Sequence, residues 1–244
     1  MRPTQITFCA ALILMLCGTT SLAVTPSWSY EHPKVLKGEF QIRNACMMPA
    51  EGKLSKTGMK GQEGMAKDAD AWTTTLQTLV EAHLKTADVN VLSALDAGSS
   101  GASDDEIRQV VLNVQQKYDG VASLLKKRPK DIAKSRFTVG DDVALLPCAA
   151  KADVLVFVQG EGTLQTGGKK AMGLLVTGYL GNEATLVLTM ADAKTGEILG
   201  FARLSNTESF GDKFIGEADK VFGKALNKQF ERMRIGSYFD KQHK

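Results

Sequence analysis

Histidine and cysteine are scarce in this 244-residue chain, with three of one and four of the other. His32, His83 and His243 stand far apart, so no pair has the close helical or loop spacing of a catalytic zinc site. A phosphate-binding loop is missing too. Counting from Gly162, the second glycine would be Gly167, but Gly168 occupies the lysine position and no hydroxyl follows. No Gly-x-Ser-x-Gly nucleophile elbow occurs, and Ser99-Ser100 has no base close by in sequence. The acidic doublets Asp104/Asp105 and Asp141/Asp142, like Asp68 and Asp70, fall in first helical turns, where they complement the helix dipole. Thirty basic against 27 acidic residues leaves a formal charge of +3, too small a field to imply nucleic acid. The expectation is therefore a chain that is not an enzyme, with no cofactor, metal or nucleic-acid ligand.

One apolar run does exist, and it is at the start. Arg2 precedes Ile6 to Cys17, and Ser21-Leu22-Ala23 then sets small residues at the two positions a signal peptidase reads. The run is short of the roughly 20 residues that cross a bilayer. An uncleaved membrane anchor is the weaker alternative. Cys17 is poorly placed for lipidation, because bulky Leu16 stands before it instead of a small residue. These features predict a signal peptide over 1–23, cleavage after Ala23, and a periplasmic or secreted product without a transmembrane helix. Cleavage would leave 29 basic and 27 acidic residues and only two cysteines, Cys46 and Cys148. In an oxidising compartment a pair of cysteines reads as one disulfide, or else as two separately buried thiols. A bridge would close a loop of about 100 residues, which the chain-entropy model values at about 4–5 kcal/mol.

The remaining pattern predicts a single α/β domain over 34–234, between a linker (24–33) and a C-terminal tail (235–244). Val35, Leu36, Phe40 and Ile42 mark a first strand within 34–46, and the glycines of 50–65 mark a loop. Trp72, Leu76, Leu79, Val80, His83 and Leu84 share one helical face, and 88–92 follows as a short strand. Residues 97–102 read as a loop. Ser103 with Glu106 forms a capping box, after which Ile107, Val110, Val111, Val114, Tyr118, Val121, Leu124 and Leu125 hold one face until Pro129. A shorter helix starts near Gly140. Val154 to Val158 is a continuous apolar run, the mark of a strand covered on both faces. Strands at 184–190 and 197–204 flank Asp192 to Gly196 as a hairpin, and a helix over 212–234 closes the domain. The order is β-α-β-α-α-β-β-β-α, an α/β (α+β) fold whose mixed sheet of about five strands carries helices packed on it.

Two stretches carry contact potential. Lys126, Lys127, Arg128, Lys130, Lys134 and Arg136 form a basic segment suited to an anionic surface, or else to a solvated helix end. Met172, Leu174, Leu175 and Tyr179 are apolar among Gly173, Gly178 and Gly181, and suit either partner docking or an ordinary core element.

Ala152-Asp153 followed by Val154 to Gly160, and then Leu186 to Leu199 with its Asp192-x-x-Thr195-Gly196-Glu197 turn, resembles bacterial envelope proteins related to LpoB, CsgG and the amino-terminal domain of TolB. The resemblance spans about residues 34–232 in element order. It implies a mixed α/β envelope domain that works by contact, and brings no catalytic residues. Pore formation of the CsgG kind does not carry over, since it needs two long amphipathic inserts, and 50–65 is too polar to be one. The resulting expectation is an exported, non-enzymatic accessory or scaffold protein that meets an envelope protein or the cell wall. Two rival expectations are an oligomeric assembly or secretion component built through 163–183, and an enzyme whose site is dispersed over distant loops.

Overall fold

The computed structural model describes residues 28–58, 61–96, 103–165, 182–206 and 214–240. Residues 1–23, expected to be a signal peptide, residues 97–102, expected to be a loop, and Met172, Leu174, Leu175 and Tyr179 lie outside the described residues.

A mixed sheet with helices on both faces forms the fold. Its strands are β1 (Trp28–Glu31), β2 (Asn44–Met47), β3 (Glu51–Gly58), β4 (Gly61–Gly64), β5 (Asn90–Ser93), β6 (Val154–Gln165), β7 (Glu183–Asp192) and β8 (Ile198–Asn206). The order is β1-β8-β7-β6-β2-β5, with β3 also pairing with β6 and β4 pairing with β3. β2 and β3 run parallel to β6, and β5 parallel to β2, while β7, β8 and β1 are antiparallel. Such pairing needs crossovers, and α2 (Ala66–Thr86) and α3 (Asp104–Lys127) supply them.

The continuous apolar run in β6 points its side chains to alternate layers. Val154, Val156 and Val158 meet Trp72, Leu76 and Val80 of α2 and Phe222, Leu226 and Phe230 of α4 (Ala218–Arg232). Leu155 and Phe157 face Val111, Val114 and Tyr118 of α3. The capping box at Ser103 is formed: its hydroxyl accepts from the Glu106 amide, and Glu106 accepts from the Ser103 amide at 2.8 Å. The Ser103 amide, and then the Ser103 hydroxyl 2.9 Å from the same Oε2, hold the Glu106 carboxyl below the usual range. Gly196 has a φ of 68°, as the turn between β7 and β8 requires.

Several expectations are corrected. Among the described residues the sheet has eight strands instead of about five. Residues 34–46 are not one strand: Pro33 opens a helical turn, α1 (Pro33–Leu36), capped by the His32 side chain, and extended pairing begins only at Asn44. The 24–33 stretch contains edge strand β1. Within 50–65, residues 51–58 and 61–64 pair as the antiparallel strands β3 and β4, and Gly52 there marks a close approach to α2 instead of a loop. Near Gly140 there is a 3-10 helix, Asp141–Leu145, and the C-terminal helix begins as a 3-10 turn, Phe214–Glu217. Past Arg232 the chain adds one more turn, α5 (Ser237–Asp240).

Between β2 and β3 the chain running beside β6 carries a bulge. Met47 pairs with Val156 and Glu51 with Gln159, so one extra residue is absorbed around Pro49. Proline offers no amide there, and the next donor, the Ala50 amide, is taken by Gln77 Oε1 of α2 at 3.0 Å. Cys46 of β2 and Cys148 are disulfide-bonded with Cα atoms 5.8 Å apart, which ties the central sheet to the layer containing α3.

Candidate interaction surface

The sheet face beneath α3 changes character along β6. Up to Phe157 it is apolar and covered, and Tyr118 stacks on Phe157 with ring centroids 4.0 Å apart. The Tyr118 hydroxyl shares a 2.8 Å hydrogen bond with Thr189 Oγ1, and burial pushes the phenol pKa well up. From Gln159 onward the same face carries Gln159, Glu161, Thr163 and Gln165, paired in register with Glu51, Lys53, Ser55 and Thr57 of β3. Thr185 and Ser205 continue it across β7 and β8, with their hydroxyls 3.5 Å apart. On the opposite face of these strands Leu54, Leu164, Ala184, Leu186 and Leu204 stay buried. That is the alternation of a sheet with one wet face.

Where α3 reaches this face the contacts are polar. Gln115 Nε2 donates to Glu51 Oε1 at 2.9 Å, and Gln159 Nε2 lies 3.1 Å from both Glu51 Oε2 and Asp119 Oδ1. Burial, and then the Glu51 charge, pushes the Asp119 carboxyl above the usual range. The cleft among Glu51, Lys53, Lys126, Gln159 and Glu161 has a volume of ≈ 50 Å³. Small-molecule sites run to roughly 300–1,000 Å³, so this cleft suits surface contact better than enclosure. Ser55 Oγ is bonded by Gln62 of β4 at 2.6 Å and lies 3.3 Å from Thr163 Oγ1, which makes the hydroxyl row continuous to the hairpin edge.

A second cluster has the composition of a hydrolytic triad. Three widely separated stretches bring together His32, Ser135 and Glu197. His32 Nε2 is 2.7 Å from Ser135 Oγ and 3.5 Å from Glu197 Oε1, and Ser135 sits in the left-handed region at φ 51°. A triad needs the carboxylate behind Nδ1 so that Nε2 can take the serine proton. Here Nδ1 accepts the Lys34 amide at 3.2 Å, so the neutral ring carries its proton on Nε2 and donates it. Burial lowers the His32 pKa against the opposing pull of Glu197, which keeps that neutral form. Lys34 Nζ bonds Glu197 Oε2 at 2.8 Å, and that bond, with one from Ser135, holds the Glu197 carboxyl down. The geometry is that of a latch fastening β1 and α1 to the β7–β8 turn. Sequence reading set His32 in a linker and gave Ser135 no role; the His32-Pro33 step, a capping side chain before an N1 proline, was the available signal.

His83 joins two helices, with Nε2 2.7 Å from Asp219 Oδ1 and Nδ1 2.8 Å from Asn227 Oδ1 of α4. Among the described residues no three His, Cys, Asp or Glu side chains are gathered to hold a metal ion. No described helix is long and apolar enough to cross a membrane. In the basic segment, Arg128 and Lys134 pair with Asp131 at 2.6 and 3.4 Å, and Lys126 lies 3.7 Å from Glu161. Lys127 and Lys130 are exposed, with no ion pair among the described residues.

No family model and no curated protein matches the chain. Solved structures overlap it weakly. A point variant of the PelC dodecamer from Paraburkholderia phytofirmans matches at a TM-score of 0.40 with 10% identity, covering 83% of this chain and 95% of that one. Lipoprotein GNA1162 from Neisseria meningitidis gives 0.31 with 10% identity, over 75% and 96% of the two chains. The C-terminal domain of LpoB from Salmonella enterica gives 0.27 with 12% identity, over 72% and 94%. Overlaps at this level assign neither family nor function.

Proposed function

We propose that this chain is an exported, non-enzymatic accessory protein of the bacterial envelope, acting by contact with another envelope protein or with the cell wall. The observation that carries this reading is the wet face of β3, β6, β7 and β8, with its rows of Ser55, Thr57, Thr163, Gln165, Thr185 and Ser205. Neutral hydrogen-bonding groups spread over several strands favour recognition of an extended polar partner, since broad contact surfaces draw on many modest polar bonds. The N-terminal order of charge, apolar run and small residues supports export, as does the Cys46–Cys148 bridge, a bond at home in oxidising compartments.

The test is cross-linking in a periplasmic extract and sedimentation with purified cell wall, comparing the chain with a Thr163→Lys/Ser55→Lys variant. Loss of the same captured partner, or of wall binding, with an unchanged circular dichroism spectrum is expected. Identical capture by both chains would overturn the assignment of the face.

A further inference from the structure

The feature least absorbed by that reading is the corner where α3 ends. Lys126 and Lys127 fit the negative carboxyl end of a helix, and the dipole alone explains them. It does not explain Lys130, Lys134 and Arg136, which lie beyond the helix and are all exposed. Asp131 is buried at 9% exposure and lies among the cations. Although burial raises its pKa, bonding to Lys134 and the charges of Arg128 and Arg136 hold its carboxyl below the usual range. Set against their two ion-pair partners, Asp131 and Glu161, the six cations keep a formal excess of +4. In that setting Leu124 is 49% exposed, one helical turn before Lys127 and Arg128 and on their side of α3.

We propose that this corner docks on a membrane surface bearing anionic lipid headgroups, with Lys127, Lys130, Lys134 and Arg136 at the phosphates and Leu124 entering the interfacial layer. Cations flanking an exposed apolar side chain are what such surfaces select, since charge attracts the protein and apolar burial retains it. A soluble polyanion would use the same cations but gain nothing from Leu124, and that separates the two partners. The inference does not depend on the polar sheet face.

The experiment is sedimentation of the full chain with vesicles of phosphatidylcholine alone and with about one third phosphatidylglycerol, at low salt and at about 0.5 M. Binding to the anionic vesicles is expected to exceed binding to phosphatidylcholine alone, and salt should remove the difference. Lys127→Glu/Lys130→Glu should weaken it at least about 25-fold, and Leu124→Ser about fivefold. All compared chains share the N-terminal apolar run, so its contribution cancels. These side chains are exposed, and an unchanged circular dichroism spectrum would confirm that each variant folds. Vesicle binding indifferent to the charge reversal would overturn the proposal. So would an affinity for inorganic polyphosphate matching that for vesicles and untouched by Leu124→Ser.

Discussion

Gly52 of β3 lies directly opposite Gly160 of β6, and together they make a flat spot on which the second and third turns of α2 rest. A Cβ at Gly160 would collide with the Leu76 side chain and come within 3.0 Å of Trp72 Nε1, and one at Gly52 would meet Thr73, its backbone amide included at 2.9 Å. Helix and sheet approach closely because neither strand has a side chain there.

Gly160→Ala should therefore destabilise the fold by about 1–3 kcal/mol through overpacking. Gly64, where a Cβ meets nothing within 4 Å, is the control strand position. Gly120 is equally open but helical, and Gly120→Ala should stabilise by about 0.5–1 kcal/mol. Urea unfolding of the three variants checks both signs against that control; equal midpoints for Gly160→Ala and Gly64→Ala would remove the packing account.

The same pair explains what the sequence concealed. Gly52, Gly58, Gly61 and Gly64 have loop composition, yet Gly52 is a contact position in a strand and Leu54 beside it is buried. Glycine frequency cannot separate a turn from a close approach, because the deciding atom, here in Thr73, belongs to another element. Local signals were readable where they closed within a few residues, as at the Ser103–Glu106 capping box, the Val154–Val158 run and Gly196. The wet face and the latch were not. Ser55 and Thr163 meet across 108 residues and His32 and Ser135 across 103, distances at which only strand register or tertiary packing decides who meets.

Cleaving the Cys46–Cys148 bridge should cost about 4–5 kcal/mol, since it releases a loop of 102 residues in the unfolded chain. A Cys46→Ala/Cys148→Ala variant should show a lower unfolding midpoint, and the parent should gain two hydrogens, about two daltons, on reduction. No mass change on reduction would refute the bond itself.

Acid should loosen the N-terminal strand in two stages. His32 has its pKa lowered from 6.5, mainly by burial, so below that pH the unfolded chain takes up a proton that the fold resists. Stability is whole above 6.5 and falls as pH drops towards the folded value. Protonation also turns Nδ1 from acceptor into donor against the Lys34 amide. Glu197 is lowered from 4.5 by Lys34 and Ser135, so its contribution stands above 4.5 and fades as pH falls further. Hydrogen-exchange protection factors across residues 28–37, which correct for the intrinsic pH dependence of exchange, should fall first below pH 6.5. His32→Asn, which keeps a capping acceptor, should erase that first stage and leave the second. A first stage persisting in His32→Asn would assign it elsewhere.

Tyr118 and Thr189 test whether the buried hydroxyl pair specifies how α3 sits on the sheet. Both side chains are fully buried, and their 2.8 Å bond crosses the interface between α3 and β7. Tyr118→Phe keeps the stack on Phe157 but leaves the Thr189 hydroxyl buried without its partner, at a cost of about 1–3 kcal/mol. Thr189→Val leaves the phenol in the same position, with a similar loss. Replacing both removes the need for either partner, so the double variant should lose less than the two single losses together by about 1 kcal/mol or more. Urea unfolding of the four chains measures that coupling. Strict additivity would mean that the hydroxyls contribute through packing volume alone, and that α3 is positioned by Tyr118 stacking on Phe157 rather than by their bond.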